Sequence, residues 1–228
     1  MQSLLLLHGA IGASSQLYPL EERLSAGYNV YTLDFTGHGG KQLADTPFSM
    51  EFFAEDVLQF MKQEKLDKVS IFGYSMGGYV GMYLAKHHPD KIGKLITLAT
   101  KYHWDEAIAA KEVQMLNPEK IEEKIPAFAQ ALMERHAPDD WKQVLEKTRE
   151  MMIALGNDNT LKPEDYSSIT TPALILIGDH DKMVTLEETI AVYRSLPNGQ
   201  MGILPNTQHP IEQVDTNLLS FMIKRFLD

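Results

Sequence analysis

Short runs of aliphatic residues recur along the chain, and each run ends in a segment of small and polar residues. Continuous apolar runs of this length are typical of strands that are buried on both faces of a parallel sheet. Helix-like segments separate the runs, and this alternation predicts an α/β fold with a mostly parallel sheet of about six strands flanked by helices. The predicted strands cover residues 3–7, 29–33, 69–72, 94–98, 172–177 and 200–204.

Between these runs, apolar residues recur three and four positions apart and predict helices. The first predicted helix covers residues 14–24, and Gly27 is its expected stop signal. Ser49 is the predicted N-cap of a helix that continues to about Glu64. Further helices are predicted at residues 79–88, at residues 186–196 and at the end of the chain.

Residues 104–165 differ from the rest of the chain because they are helical and charged throughout and contain four prolines. This segment has 14 Asp and Glu against 8 Lys and Arg, so it carries −6 of the chain's net charge of −10. Apolar side chains follow helical spacing from Trp141 to Leu155, and Gly156 is expected to end that helix. We therefore expect residues 104–165 to form a helical cap inserted into a core of residues 1–103 and 166–228.

Composition and charge narrow the functional classes. A chain of 228 residues, 44% of them hydrophobic, is long enough for one large domain with a substantial core. The net charge of −10 argues against a nucleic-acid partner, because such surfaces need clustered Lys and Arg. The absence of cysteine excludes disulfides and thiolate metal sites. The N-terminal apolar run is too short for a signal peptide or a membrane span, so we expect a cytoplasmic protein without a membrane partner.

The third predicted strand leads into Gly73-Tyr74-Ser75-Met76-Gly77, which has the spacing of a nucleophile elbow. A serine can act as a nucleophile only when its hydroxyl is held clear of the backbone, beside a base and oxyanion donors. A side chain at Gly73 or Gly77 would clash in so tight a turn. Five letters occur by chance in many chains, but the strand before this motif and the helix after it favour the functional interpretation.

Other strand ends supply candidates for the groups that a serine needs. Asp181 and Asp179 both follow the fifth predicted strand, and either carboxylate is able to orient a base. His209 follows the last strand. The loop after the first strand is rich in small residues, so it can turn the Ala10 N–H toward a ligand. We expect His8, in the same loop, to have a structural role.

The order serine, acid, histidine resembles the α/β-hydrolase superfamily. The resemblance extends over nearly the whole chain and is carried by five motifs: the His8-Gly9 loop, Asp34-x-x-Gly37-x-Gly39, the elbow around Ser75, Gly178-x-x-Asp181 and the late His209. It implies a cap between the fourth strand and the acid-bearing strand.

In the mechanism that the resemblance implies, Ser75 is the nucleophile, His209 is the base and Asp181 orients the histidine, since Asp181 fits the family spacing better than Asp179. The N–H groups of Ala10 and Met76 would form the oxyanion hole.

Two departures from the family pattern are visible. Members commonly begin with an antiparallel hairpin before the first strand found here, so this chain looks shortened at its N-terminus. Gln208 also stands where members often carry glycine, next to the histidine. Because of the first departure, the sequence does not define which strand lies at the edge of the sheet. The second changes the loop before His209 but does not remove this base.

The leading expectation is a serine hydrolase that cleaves a small, apolar carboxylic ester through an acyl-enzyme, without a metal or cofactor. The same triad also serves carbon–carbon bond hydrolysis, perhydrolysis and a menaquinone-pathway elimination. The elimination needs cationic groups for a multiply charged anion, and the cap offers few arginines, Arg135 and Arg149, among many acids. A ligand-sensing protein with a hydrolase fold is a further alternative. The expected partner is a small-molecule ester or related carbonyl compound, bound by a monomer or homodimer.

Substrate contacts are expected from strand-end loops and from the apolar face of the cap. The aromatic residues after the fourth strand fit a pocket lining as well as they fit packing against their own loop. Methionine adapts to irregular apolar ligands, although filling a core is its commoner role. The candidate substrate-binding residues are Ile11, Tyr102, His103, Trp104, Met151 and Met183.

Overall fold

The structure is a computed structural model that describes residues 1–228. Six strands form one sheet in the order β2-β1-β3-β4-β5-β6, and every neighbouring pair is parallel. The predicted fold class is therefore confirmed. The strands are β1 (Ser3–Leu7), β2 (Asn29–Leu33), β3 (Val69–Tyr74), β4 (Ile92–Leu98), β5 (Ala173–Gly178) and β6 (Gly199–Leu204).

The register of the sheet brings the functional loops to one edge. Leu7, the last residue of β1, pairs with Gly73 of β3 on one side and with Leu33 of β2 on the other. Because all the strands are parallel, their carboxyl ends lie together, and the loops that follow them meet there. The loop after His8 is thus placed beside the turn that contains Ser75.

Nine helices accompany the sheet. They are α1 (Tyr18–Leu24), α2 (Met50–Gln63), α3 (Met76–His87), α4 (Glu106–Glu112), α5 (Pro118–Lys124), α6 (Pro126–His136), α7 (Trp141–Asn157), α8 (Leu186–Ser195) and α9 (Thr216–Leu227). Short 3₁₀ turns cover Ser14–Leu17, Val113–Leu116, Asp165–Ser168 and Ile211–Gln213. None of the helices is long and apolar enough to cross a membrane.

The strands bury both faces, as their apolar runs predict. Leu5 and Leu7 of β1 pack into a cluster with α2, α3 and α8, whereas Leu4 and Leu6 pack on the opposite face with α1 and α9. This alternation follows from the two-residue period of a strand. The helix predicted at residues 14–24 is confirmed as a 3₁₀ turn followed by α1, which ends at Leu24, and the Gly27 N–H donates to the Leu24 carbonyl beyond that end.

Four helices, α4 to α7, lie within residues 104–165. Leu116, Leu132 and Trp141 belong to a small apolar cluster within this segment. Val144, Met151 and Leu155 of α7 instead join the main cluster of the sheet and α3. The helix ends at Asn157, one residue after Gly156. The boundaries of the cap stay a prediction, since part of α7 is packed as core.

Candidate active site

Ser75 occupies a strained turn between β3 and α3. Its backbone has φ +50° and ψ −116°, in the region that side chains other than glycine rarely adopt. A Cβ atom on Gly73 would lie 2.3 Å from the Gly77 carbonyl oxygen, and one on Gly77 would lie 2.6 Å from the Leu7 carbonyl oxygen. Both glycines are therefore required by backbone crowding. The crowding at Gly77 comes from the carboxyl end of β1, which therefore lies close to the turn.

Hydrogen bonds hold the strained backbone of Ser75 in place. Its N–H donates to the Leu98 carbonyl at 2.8 Å, and its carbonyl accepts from the Thr100 hydroxyl at 3.1 Å. Both partners come from β4 or the residues just after it. The neighbouring strand thus fixes the position from which the Ser75 side chain projects.

His209 and Asp181 form a buried, charge-assisted contact. His209 Nδ1 lies 2.8 Å from Asp181 Oδ2, and the Asp181 side chain is fully buried. The other carboxylate oxygen of Asp181 accepts from the N–H groups of Met183 and Val184 at 2.8 and 2.9 Å. Burial raises the pKa of Asp181, but the hydrogen bond and charge of His209, with the two N–H donors, bring it below its ordinary value. An ionised Asp181 favours the Nδ1–H tautomer of His209 and leaves Nε2 as the basic atom.

Asp179 has a different role from Asp181. Its side chain accepts a hydrogen bond from the Thr207 N–H at 3.1 Å, and the carboxylate is exposed. This bond and a second one from Asn206 hold the pKa of Asp179 below its ordinary value. Asp179 therefore ties the loop after β5 to the loop that carries His209, whereas only Asp181 contacts the histidine.

The loop after β1 places a free N–H beside Ser75. The Ala10 N–H donates to no backbone carbonyl, and Ile11 has a positive φ of 52°. Met76 is the first residue of α3, where N–H groups have no partner within the helix. Ala10 and Ser75 line the same two cavities, and Met76 lines the smaller of them. The two residues whose N–H groups are predicted to form an oxyanion hole thus line the smaller cavity together with Ser75.

The end of α6 holds this loop from the cap side. Arg135 Nη1 donates to the Ile11 carbonyl at 3.0 Å, and His136 Nε2 lies 3.1 Å from the same oxygen. His136 Nδ1 accepts from the Gly39 N–H at 3.3 Å, which makes Nε2 the protonated nitrogen and hence the donor. Two adjacent residues of α6 therefore fix the carbonyl that follows the predicted oxyanion donor.

Three buried histidines form a cluster behind the loop. The ring centroids of His8 and His38 are 5.3 Å apart, and those of His38 and His136 are 5.7 Å apart. Burial lowers the pKa of His8 and of His136 to about 4, and that of His38 well below its ordinary value. His8 Nδ1 contacts the Gly9 carbonyl at 2.7 Å, while Nε2 accepts from the Phe35 N–H at 3.2 Å. These contacts agree with the structural role expected for His8.

Ser75 lies at the boundary between two cavities. The larger has a volume of about 250 Å³ and also contains His209, while the smaller, of about 40 Å³, lies between Ser75, Met76 and the cap. The smaller cavity is lined mainly by apolar side chains, whereas half of the residues that line the larger one are hydrophobic. The larger cavity is also lined by Gln16, Arg135 and Glu212.

Four of the six predicted substrate-binding residues line these two cavities. Ile11 and Met183 line the larger one, and Trp104 and Met151 line the smaller one. The indole N–H of Trp104 is buried and has no hydrogen-bond partner. It is therefore a donor that remains available beside Ser75.

Tyr102 and His103 depart from the prediction, because neither lines a cavity that contains Ser75. Both border a separate cavity near α8. The Tyr102 hydroxyl lies 2.6 Å from the Thr97 hydroxyl, and the Tyr102 N–H donates to Glu188. His103 pairs with Asp105 at 3.5 Å and is largely exposed. The His103 contact fits the alternative in which the segment packs against its own loop, whereas Tyr102 contacts β4 and α8.

Gln16, Arg135 and Glu212 line the larger cavity but were not among the predicted site residues. Arg135 carried a signal in the sequence as one of two arginines in a strongly acidic segment. Gln16 and Glu212 carried none, because their place in the cavity depends on contacts between distant parts of the chain. No group of three or more His, Cys, Asp or Glu side chains is arranged to hold a metal ion.

A family model described as "alpha/beta hydrolase fold" matches residues 2–145. The chain belongs to this family. This α/β-hydrolase is 24% identical to the (E)-2-((N-methylformamido)methylene)succinate hydrolase of Acinetobacter baylyi, over 92% of this chain and 84% of that protein. It is 22% identical to the 2-(acetamidomethylene)succinate hydrolase of Mesorhizobium japonicum, over 99% of this chain and 87% of that protein.

Among solved structures, the α/β-hydrolase is similar to a thermophilic esterase from Thermogutta terrifontis, described with malate bound. The TM-score is 0.76 at 25% identity, and the match covers 100% of this chain and 89% of the esterase. The relatives are hydrolases of several kinds. The family and its members therefore identify the chain as a hydrolase-family protein, without assigning a substrate.

Proposed function

We propose that this α/β-hydrolase cleaves a small carboxylic ester through an acyl-enzyme on Ser75. The observation that carries the proposal is the 2.8 Å contact between Asp181 and His209, in a chain where His209 and the strained Ser75 line one cavity. A nucleophile, a base and a group that orients the base are the three parts of a serine hydrolase.

In the proposed reaction, the Ser75 Oγ attacks the ester carbonyl while His209 Nε2 takes the hydroxyl proton. The tetrahedral intermediate collapses, and the imidazolium gives its proton to the departing alkoxide, which leaves as the alcohol. A water molecule then attacks the acyl-enzyme by the same two steps and releases the carboxylic acid and free Ser75. Asp181 stays ionised throughout and stabilises the imidazolium.

The N–H groups of Ala10 and Met76 are suited to the negative charge that develops on the carbonyl oxygen. Both are free of backbone acceptors, and both residues line the smaller cavity with Ser75. Rigid donors of this kind stabilise a tetrahedral intermediate more than the planar ester, so they lower the barrier. We assign the oxyanion hole to these two groups.

Cavity size supports a small substrate. The smaller cavity, about 40 Å³, lies directly against Ser75 and fits a short acyl group among Met50, Met76 and Met151. The larger cavity, about 250 Å³, is the more open side and suits the leaving group. The apolar lining favours desolvation of the ester carbonyl at the reacting end.

Hydrolysis of an amide-type bond is the second candidate. Two relatives that each match more than nine-tenths of this chain are named as hydrolases of amidomethylene succinates. A serine triad acts on both bond types, because His209 is able to protonate a departing nitrogen as well as an oxygen. A matched pair of ester and amide substrates separates the two candidates.

The test is hydrolysis of 4-nitrophenyl esters and the corresponding anilides, with acyl chains of two to eight carbons. Wild type and Ser75→Ala are compared at equal folded concentration. We expect multiple turnovers of the short esters, and a loss of roughly 10³-fold to 10⁶-fold in the variant. Equal activity of the two proteins would defeat the proposal. A single slow turnover by wild type would favour the ligand-sensing alternative.

A further inference from the structure

The larger cavity contains a cation that the proposed reaction does not use. Arg135 lines it together with Ser75 and His209, and the arginine side chain is only 16% exposed. A buried guanidinium is retained when an anion or a dense set of acceptors compensates its charge. For Arg135, that compensation would have to come from the protein itself or from a bound ligand.

The protein satisfies only part of Arg135. One N–H donates to the Ile11 carbonyl, which is neutral. The nearest acid is Glu212, whose Oε1 lies 3.7 Å from Arg135 Nη2, beyond hydrogen-bond distance, and whose side chain is 52% exposed. Gln16 Nε2 donates to the same Glu212 oxygen and competes for it. Most of the five N–H donors of the guanidinium are thus unused.

The electrostatic balance agrees with this count. Burial lowers the pKa of Arg135, and the opposing effect of Glu212 does not restore it. The other arginine of the cap, Arg149, has instead a close partner in Glu146 at 3.1 Å. In a chain with a net charge of −10, a poorly compensated cation beside the nucleophile marks a place for an added negative charge.

We propose that Arg135 binds a carboxylate of the substrate, which makes the substrate a small ester or amide that carries a carboxylate some distance from the scissile carbonyl. This inference rests on the proposed function of the same site and narrows its substrate from small esters in general to monoanionic ones. A guanidinium presents two parallel N–H donors that match the two oxygens of a carboxylate. Glu212, being half exposed, is able to turn into solvent when the anion enters.

Equilibrium binding tests the subsite without requiring turnover. Ser75→Ala protein is titrated with monomethyl succinate, which is a monoanion near neutral pH, and with dimethyl succinate, its neutral counterpart, by isothermal calorimetry. We expect the monoanion to bind more tightly than the diester. Adding Arg135→Met should weaken monoanion binding by roughly 10-fold to 100-fold and change diester binding by less than roughly 3-fold.

Two further variants separate a carboxylate contact from a merely structural one. Glu212→Gln removes the competing acid, so it should tighten monoanion binding several-fold and leave the diester unchanged. Arg149→Met is the matched control, because it removes the same charge from the same segment outside the cavity. It should change neither affinity. Arg135→Lys keeps the positive charge but loses the two parallel N–H donors. Its affinity for the monoanion should lie between those of the Ser75→Ala protein with and without Arg135→Met.

The outcomes distinguish this inference from the proposed function. Equal affinity for the two ligands in Ser75→Ala protein, at any level including none, would overturn the carboxylate subsite. Equal weakening of both ligands by Arg135→Met would also overturn it, since Arg135 would then only hold the Ile11 loop. Selective monoanion binding in a protein that hydrolyses no ester or amide would support the subsite and defeat the proposed reaction alone.

Discussion

Asp181 Oδ2 lies 2.8 Å from His209 Nδ1, although 28 residues separate them along the chain. The loop after β5 and the loop after β6 bring the two side chains together, because these strands are parallel neighbours with their carboxyl ends aligned. Asp179 ties the same two loops through the Thr207 N–H. Asp181 thus contacts His209 directly, and Asp179 holds together the two loops that carry these residues.

Asp181→Asn tests the division of labour between these two acids. An asparagine keeps the shape but loses the charge that stabilises the imidazolium and selects its tautomer, so kcat should fall by roughly 10³-fold to 10⁴-fold. Asp179→Asn removes a loop contact from an exposed carboxylate, and kcat should stay within roughly 3-fold of wild type. Steady-state kinetics on a short ester gives the comparison. The reverse ranking would transfer the role to Asp179.

Gly73→Ala tests the crowding of the Ser75 turn. The added Cβ would lie 2.3 Å from a backbone oxygen that has no room to move, so the free energy of unfolding should fall by about 2 to 4 kcal/mol. Gly27→Ala is the matched control, since its nearest neighbour would be 4.0 Å away. It should be neutral or stabilising. Urea unfolding measures both, and equal losses would argue against a tight elbow.

His136→Leu tests the hold of α6 on the Ala10 loop. The variant loses the bonds of the ring to the Ile11 carbonyl and the Gly39 N–H, so the predicted oxyanion donor is less well positioned. We expect kcat to fall by roughly 10-fold with KM within a factor of two, because the oxyanion forms only in the transition state. The kinetics should be measured on a neutral ester, because a neutral ester has no carboxylate whose binding would change if Arg135 moved with its neighbour. A change in KM alone would instead indicate a role in ground-state binding.

The histidine cluster predicts a loss of stability in mild acid. His8, His38 and His136 have lowered pKa values in the folded protein, so the unfolded chain binds more protons as pH falls below about 6.5. Stability is therefore complete above that pH and lost on acidification toward pH 4. Each histidine contributes a slope of up to about 1.4 kcal/mol per pH unit. Among charged groups, Asp34 in the loop after β2 acts to raise the pKa of His8 and Arg135 of α6 acts to lower it, but burial has the largest effect.

Urea unfolding between pH 7 and pH 5 measures this slope. His38→Leu removes one titrating group, so its slope should be smaller by about a third, even if the variant is less stable at every pH. An unchanged slope in His38→Leu would show that the cluster does not titrate on unfolding.

Much of the fold could be predicted from the sequence because its signals are local. The strands at Ser3–Leu7 and Asn29–Leu33 have the predicted bounds, since each apolar run is closed by turn-forming residues. The elbow around Ser75 was visible for the same reason, as backbone crowding requires glycine at fixed positions. The order of the candidate acid and histidine was recognisable because both follow strands of a parallel sheet.

The cavity wall could not be predicted in the same way. Arg135 reaches the site because the end of α6 packs on the Ile11 loop, a contact over 124 residues that no periodicity encodes. Tyr102 follows a strand end, as a pocket residue would, yet its hydroxyl contacts Thr97 and its ring is buried. Local pattern indicates that a residue follows a strand, but packing between distant segments decides whether it faces Ser75.

Covalent labelling directly tests whether Ser75 is an activated nucleophile. Folded wild type and Ser75→Ala are incubated with a fluorophosphonate probe, and intact mass spectrometry followed by peptide mapping locates the adduct. We expect one adduct per chain on Ser75 of the wild type and none in the variant, because only an activated serine attacks the phosphorus centre. Absence of labelling in folded wild type, or labelling that survives in Ser75→Ala, would contradict this expectation.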